Sequence, residues 1–216
     1  MMAAITRPLM KDPKDPTHIT YQWGQAIIDY ALSHGVDVLD ITGEWVDYEK
    51  ITPLLMQNRP DLFIYTGHGC RNFLATQNGC SLTNGWKEDV CHTQCGQPPN
   101  LNLLRDAIVV TFSCHSASQL GRCAIKYGAR AYVGFSDFMM FTSDGAGSQD
   151  LFRDALLPMA IELINGKTVG EAVEATKAAL LSAAKQWKST KYMAIPFYWN
   201  YEYMQVEGDI NARLGG

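Results

Sequence analysis

Short apolar runs alternate with amphipathic stretches along this chain, the pattern of a parallel α/β sheet. The runs Ala3–Arg7, Val36–Thr42, Leu62–Thr66, Ala107–Phe112 and Ala131–Phe135 predict five strands. Between them, Thr20 caps a predicted helix with Trp23, Ile27, Tyr30 and Ala31 on one face, and Gly35 closes it. Thr52-Pro53 reads as a helix start with proline in the first turn, and Pro60 stops that helix. Ser116–Tyr127 is a third predicted helix, terminated by Gly128. Residues 149–165 place Leu151, Phe152, Ala155, Leu156 and Met159 on one stripe, so a single helix is expected there. Thr168 with Glu171 forms a capping box that opens a helix reaching about Trp187. In Phe197-Tyr-Trp-Asn-Tyr-Glu-Tyr203 every odd position is aromatic, which reads as a sixth strand with one buried face. Pro196 puts the start of that strand at an edge. The expectation is α/β: a mostly parallel six-stranded sheet with helices on both faces.

The stretch 70–104 breaks this rhythm. It is rich in Asn, Gly, Gln and Pro and carries Cys80, Cys91, His92 and Cys95. It reads as a long surface loop inserted into one domain that spans 1–216, and loops of that length are usually functional. Cys91-x₃-Cys95 has the spacing of a zinc ligand pair, but Cys80 stands alone and a second pair is missing. No metal and no cofactor are expected.

Composition narrows the partners. At 47% apolar and 19% charged residues, the 216-residue chain is ordinary for a globular protein. Its net charge of −4 argues against nucleic acid or an anionic membrane as partner, which call for basic patches. The amino terminus has no long apolar segment, and no apolar run approaches a membrane span. The expected location is therefore cytoplasmic, with the six cysteines as thiols. There is no phosphate-binding G-x-x-x-x-G-K-[ST], no C-x-x-C and no G-x-S-x-G.

Chemistry is concentrated at two strand ends. In parallel sheets, ligands bind beyond the carboxyl ends of the strands. The third strand ends in Thr66-Gly67-His68-Gly69 and the fourth in Ser113-Cys114-His115-Ser116. Adjacent strands lie about 4.8 Å apart, so neighbouring tips bring an imidazole base to a thiol nucleophile. A helix beginning at Ser116 would stabilise a Cys114 thiolate. The backbone N–H groups of Gly69 and Cys114 would converge as an oxyanion hole. His115 adjoins the nucleophile, but adjacent side chains point apart. Taken singly, each residue has an ordinary structural role as well: a hydrogen-bonded histidine, a small buried cysteine.

"YTGHG", then "VVTFSCHSA" with Cys114 46 positions after His68, resembles the caspase-like cysteine peptidases. These are the caspases, gingipains, clostripain, separase and the bacterial CHAT domains, grouped as clan CD. "GARAYVGFSD" (Gly128 to Asp137) is similar to the next strand of the gingipain and CHAT branch. The resemblance implies a caspase-like three-layer αβα sandwich and cleavage of peptide bonds in a peptide or protein substrate. His68 would be general base and acid, Cys114 the nucleophile, and Gly69 and Cys114 the oxyanion donors. Ser113-Cys114-His115-Ser116 departs from the caspase signature and fits the gingipain side better. A basic residue before the cut is then expected, with Asp137 as the acid that reads it, Asp144 in reserve and Ser113 lining the site. The resemblance also implies control by autoprocessing or by a regulatory partner, with 70–104 as the candidate loop. Two further readings use the same residues: a non-catalytic partner-binding domain on this scaffold, and a thiol amidase or hydrolase acting on small molecules.

Overall fold

The computed structural model describes residues 1–76, 79–83, 99–142, 148–187 and 191–215. Five parallel strands, β1 (Met2–Arg7), β2 (Asp37–Thr42), β3 (Leu62–Thr66), β6 (Ile108–Phe112) and β7 (Ala131–Phe135), form a sheet with antiparallel β8 (Met204–Gly208) at one edge. The order is β2-β1-β3-β6-β7-β8. Strands buried on both faces need apolar residues at odd and even positions alike, and the sequence supplies them. Ile5, Ile64, Val110 and Val133 pack into one layer with α1 (Thr17–Ser33), α4 (Ser148–Leu156), α5 (Pro158–Ile164) and α6 (Val169–Gln186). Phe63, Tyr65, Val109 and Tyr132 pack into the other with α2 (Tyr48–Asn58) and α3 (Leu120–Lys126). Among the described residues, no helix is long and apolar enough to cross a membrane.

Several elements differ from the sequence expectation, each for a local reason. Helix α2 starts at Tyr48 because Asp47 caps it, accepting the Glu49 N–H at 3.0 Å, so Pro53 falls inside the helix. The expected helix 149–165 is two helices, broken at Leu157, because Pro158 has no N–H to continue the ladder and opens α5 instead. The capping box at Thr168 and Glu171 forms as expected, with both reciprocal bonds present.

The aromatic run 197–203 is not a strand. It ends helix α7 (Lys191–Tyr203), and the sixth strand is the next segment, β8. Within α7 Ala194, Pro196, Phe197 and Asn200 are buried, and Ala194, Phe197 and Asn200 follow a spacing of three that belongs to a helix. Phe197 stacks on Phe152 of α4 with ring centroids 4.0 Å apart. This packing overrides the period-two aromatic pattern.

The stretch 70–104 is not surface loop throughout. Strands β4 (Phe73–Thr76) and β5 (Gly79–Thr83) form an antiparallel hairpin. Its Leu74 and Leu82 enter the same core layer as Tyr65, as do Leu101 and Leu104. Cys70 and Cys80 are disulfide-bonded, whereas Cys114 and Cys123 are free. The expectation of six thiols is therefore corrected. A two-stranded hairpin is marginal by itself, and covalent ties suit it. Disulfides persist in oxidising compartments, so the cysteine pattern no longer supports a cytoplasmic address. Cys91, His92 and Cys95 lie outside the described residues.

Candidate active site

The glycines around His68 are explained by close approach. Strand β3 ends at Thr66, in register with Phe112 of β6, and the Gly67 N–H donates to the Phe112 carbonyl at 3.3 Å. A Cβ on Gly67 would lie 2.6 Å from Pro8 Cγ and 2.8 Å from the Tyr65 hydroxyl oxygen. A Cβ on Gly69 would lie 2.6 Å from Ser113 Oγ and 3.1 Å from the Cys114 carbonyl oxygen. The two strand tips are thus in contact, and side chains on either glycine would push them apart.

The backbone of His68 is held from below. The Ala75 N–H donates to the His68 carbonyl at 2.9 Å. The Tyr65 hydroxyl lies 2.7 Å from that same carbonyl oxygen and 2.6 Å from the Ala75 carbonyl. Complete burial pushes the Tyr65 hydroxyl well above its ordinary pKa, so it keeps its proton and donates. Tyr65→Phe removes this donor in the core. A loss of about 1 kcal/mol in unfolding free energy is expected, measured by urea titration.

His68 has a partner that the sequence reading missed. Its Nε2 lies 3.1 and 3.0 Å from the two carboxylate oxygens of Asp15. The imidazole is 45% exposed and the carboxylate 22%. Asp15 lies between β1 and α1, and its Oδ1 also accepts the Thr17 N–H at 2.8 Å and the Thr17 hydroxyl at 2.5 Å. Partial burial pushes the Asp15 carboxyl up. The bonds from the Thr17 hydroxyl, His68 and the Thr17 N–H outweigh it and hold the group below its ordinary range. The available signal was topological: β1 neighbours β3, so the loop after β1 reaches the same rim as His68.

Cys114 lies just beyond β6 and is half-buried. The expected helix at Ser116 begins only at Leu120, with residues 114–119 in turns, so α3 does not start beside the sulfur. Burial, with the Asp137 carboxylate adding to it, raises the Cys114 thiol above its ordinary pKa; the Met139 carbonyl, 4.0 Å from Sγ, opposes this. The expected thiolate is therefore corrected to a neutral thiol. Alkylation by iodoacetamide should show a pH inflection above the ordinary cysteine value of about 8.5; an inflection near pH 6 would contradict this protonation state.

The loop after β7 closes around the Cys114 turn. His115 adopts a left-handed conformation (φ 56°), and its N–H donates to the Asp137 carbonyl at 2.8 Å. The His115 ring packs edge-on against Phe138, centroids 4.5 Å apart, with Nδ1 3.8 Å from the Asp137 carboxylate. The carboxylate also accepts the Phe138 N–H at 2.7 Å. Asn200 of α7 fixes the loop, accepting the Met140 N–H at 2.9 Å and donating to the Met140 carbonyl at 2.6 Å. Ser113 is only 1% exposed, its Oγ against Gly69, so its side chain faces inward. Asp144 lies outside the described residues. Among the described residues, no three His, Cys, Asp or Glu side chains cluster where a metal could be held.

The sheet, its flanking helices and the rim defined by β3 and β6 have the caspase-like architecture of the gingipain cysteine proteinases. The crystal structure of the Arg specific cysteine proteinase gingipain R matches 98% of this chain with a TM-score of 0.62 and 14% identity. A complex of the pro- and mature domains of RgpB from Porphyromonas gingivalis matches 98% with a TM-score of 0.59 and 14% identity. A structure described as a protease matches 98% at 0.56 and 15% identity. This chain spans about half the length of these proteins, 47%, 47% and 48% respectively. At such identity the likeness is one of fold. No protein-family model matches the sequence, and no curated protein matches it significantly.

Proposed function

We propose that this chain is a cysteine peptidase domain working through Cys114, His68 and Asp15. The observation that carries the reading is the Asp15–His68 pair on the rim where Gly69 abuts Cys114. Asp15 holds Nε2 of His68, which leaves Nδ1 for the sulfur. Because the thiol is neutral, His68 acts as a general base: it takes the Sγ proton as sulfur attacks the peptide carbonyl. The tetrahedral oxyanion needs preorganised donors. Gly69 suits this role. Its contact with Leu74 is flanked by the Ala75–His68 and Cys70–Phe73 bonds, so its own N–H turns away from the hairpin. The Cys114 N–H is the second donor. Collapse breaks the C–N bond, His68 returns the proton to the leaving amine, and water then hydrolyses the thioester.

Asp137 is the residue proposed to read an arginine or lysine before the cut. Its carbonyl and carboxylate flank the nucleophile turn, and the matched gingipain R is Arg specific. Control by a bound segment is part of the same reading, since one matched structure pairs pro- and mature domains. The test uses fluorogenic peptides carrying Arg, Lys, Asp, Asn or Leu before the reporter, beside His68→Ala. Cleavage after the basic residues, lost in the variant, supports the reading. No cleavage of any peptide, with no labelling by a thiol-directed probe, would overturn it.

A further inference from the structure

Helix α7 leaves part of its aromatic surface uncovered. Leu181 of α6 and Ile195, Tyr198, Trp199 and Glu202 of α7 line an open cleft of about 530 Å³. Tyr198 is 50% exposed and Ile195 48%. The Trp199 ring is fixed in place. Its Nε1–H donates to the Phe138 carbonyl at 3.0 Å, and its centroid lies 4.5 Å from that of Tyr203. Glu202 is exposed at the cleft and joins none of the ion pairs among the described residues.

We infer that this cleft binds an arginine or lysine side chain of a peptide, at a site separate from the Cys114 rim. Three observations select a cation. Aromatic faces attract positive charge through their quadrupole, and two rings, Tyr198 and Trp199, meet here. The same helix already holds one: Lys177 Nζ lies 5.2 Å from the centroid of Tyr201. Glu202 supplies the carboxylate that a guanidinium or ammonium pairs with, which an apolar ligand would not use and an anion would avoid. Leu181 and Ile195 offer apolar surface to the methylene stem of such a side chain. One hydrogen bond links the cleft to the candidate active site. Trp199 bonds to Phe138, one residue from the Met139 carbonyl that faces the Cys114 sulfur. A peptide anchored here would press on the loop that contacts the nucleophile.

The experiment measures binding of a fluorescent hexapeptide with one central arginine to the Cys114→Ala chain, by anisotropy. The control replaces arginine by citrulline, its neutral near-isostere. Arginine should bind about three- to thirtyfold more tightly. Tyr198→Ala and Glu202→Gln should each erase most of that difference, and circular dichroism of both variants checks the fold. Equal binding of the two peptides would overturn the inference. So would loss of discrimination in Asp137→Asn with none in Tyr198→Ala and Glu202→Gln, since the cation would then be read beside the nucleophile. A cleft that instead joined two copies of the chain would show as self-association in sedimentation that Tyr198→Ala abolishes, with no peptide competition, and this too would overturn it. Because binding is read without turnover, the result stands apart from the peptidase reading.

Discussion

Cys114→Ala is expected to abolish peptide hydrolysis and labelling by a thiol-directed probe together. Where nucleophile and base act as a unit, removing the nucleophile costs about 10⁶-fold in kcat. Cys114 is half-buried and stands at the end of β6 on the rim beside Gly69. Among the described residues the other free thiol, Cys123, is 6% exposed in the layer under α3, so it should stay unlabelled in the folded variant. Hydrolysis that survives the substitution would assign the activity to another group.

Asp15→Asn should give the second large effect. The amide keeps the size of the side chain but removes the charge and changes which protons the imidazole must carry. The buried triad of serine proteases loses about 10⁴-fold in kcat on this exchange. The Asp15–His68 pair is partly solvated, so about 10² to 10⁴-fold is expected here, in kcat rather than KM. A purely structural role for Asp15 would leave kcat of the folded variant intact. Stability supplies an independent check. The Asp15 carboxyl is held below its ordinary pKa in the folded chain, so its stabilisation is present in full above about pH 4 and is lost as pH falls through the folded value. The gap in unfolding free energy between the natural chain and Asp15→Asn should be widest above pH 5 and close in acid.

Much of the sheet was legible from apolar runs alone. Leu62–Thr66 and Ala131–Phe135 are strands within the expected bounds, because both faces of each strand are buried and few helices tolerate such short continuous runs. The placement of His68 and Cys114 just past the ends of β3 and β6 was legible for the same reason: a strand end at the carboxyl rim is a fixed address in a parallel sheet. Asp15 was not, since the pairing of β1 with β3 comes from topology and leaves no local signature in Lys11-Asp12-Pro13-Lys14-Asp15-Pro16. Helix α7 was misread because four aromatics at alternate positions imitate a strand, while burial follows Ala194, Phe197 and Asn200. The protonation of Cys114 was misread with the start of α3. The turn residues 115–119 separate the sulfur from the start of α3, and burial then decides the sign.

The central claim is that the Cys114 sulfur attacks with the help of the His68 imidazole. Mass spectrometry of the chain quenched during reaction with an activated arginyl peptide ester tests it most directly. The account expects a peptidyl mass on Cys114 within seconds at pH 7, and slow or absent acylation of the same residue in His68→Ala. Acylation of Cys114 at equal rates in both chains, or acylation confined to another residue, would contradict it.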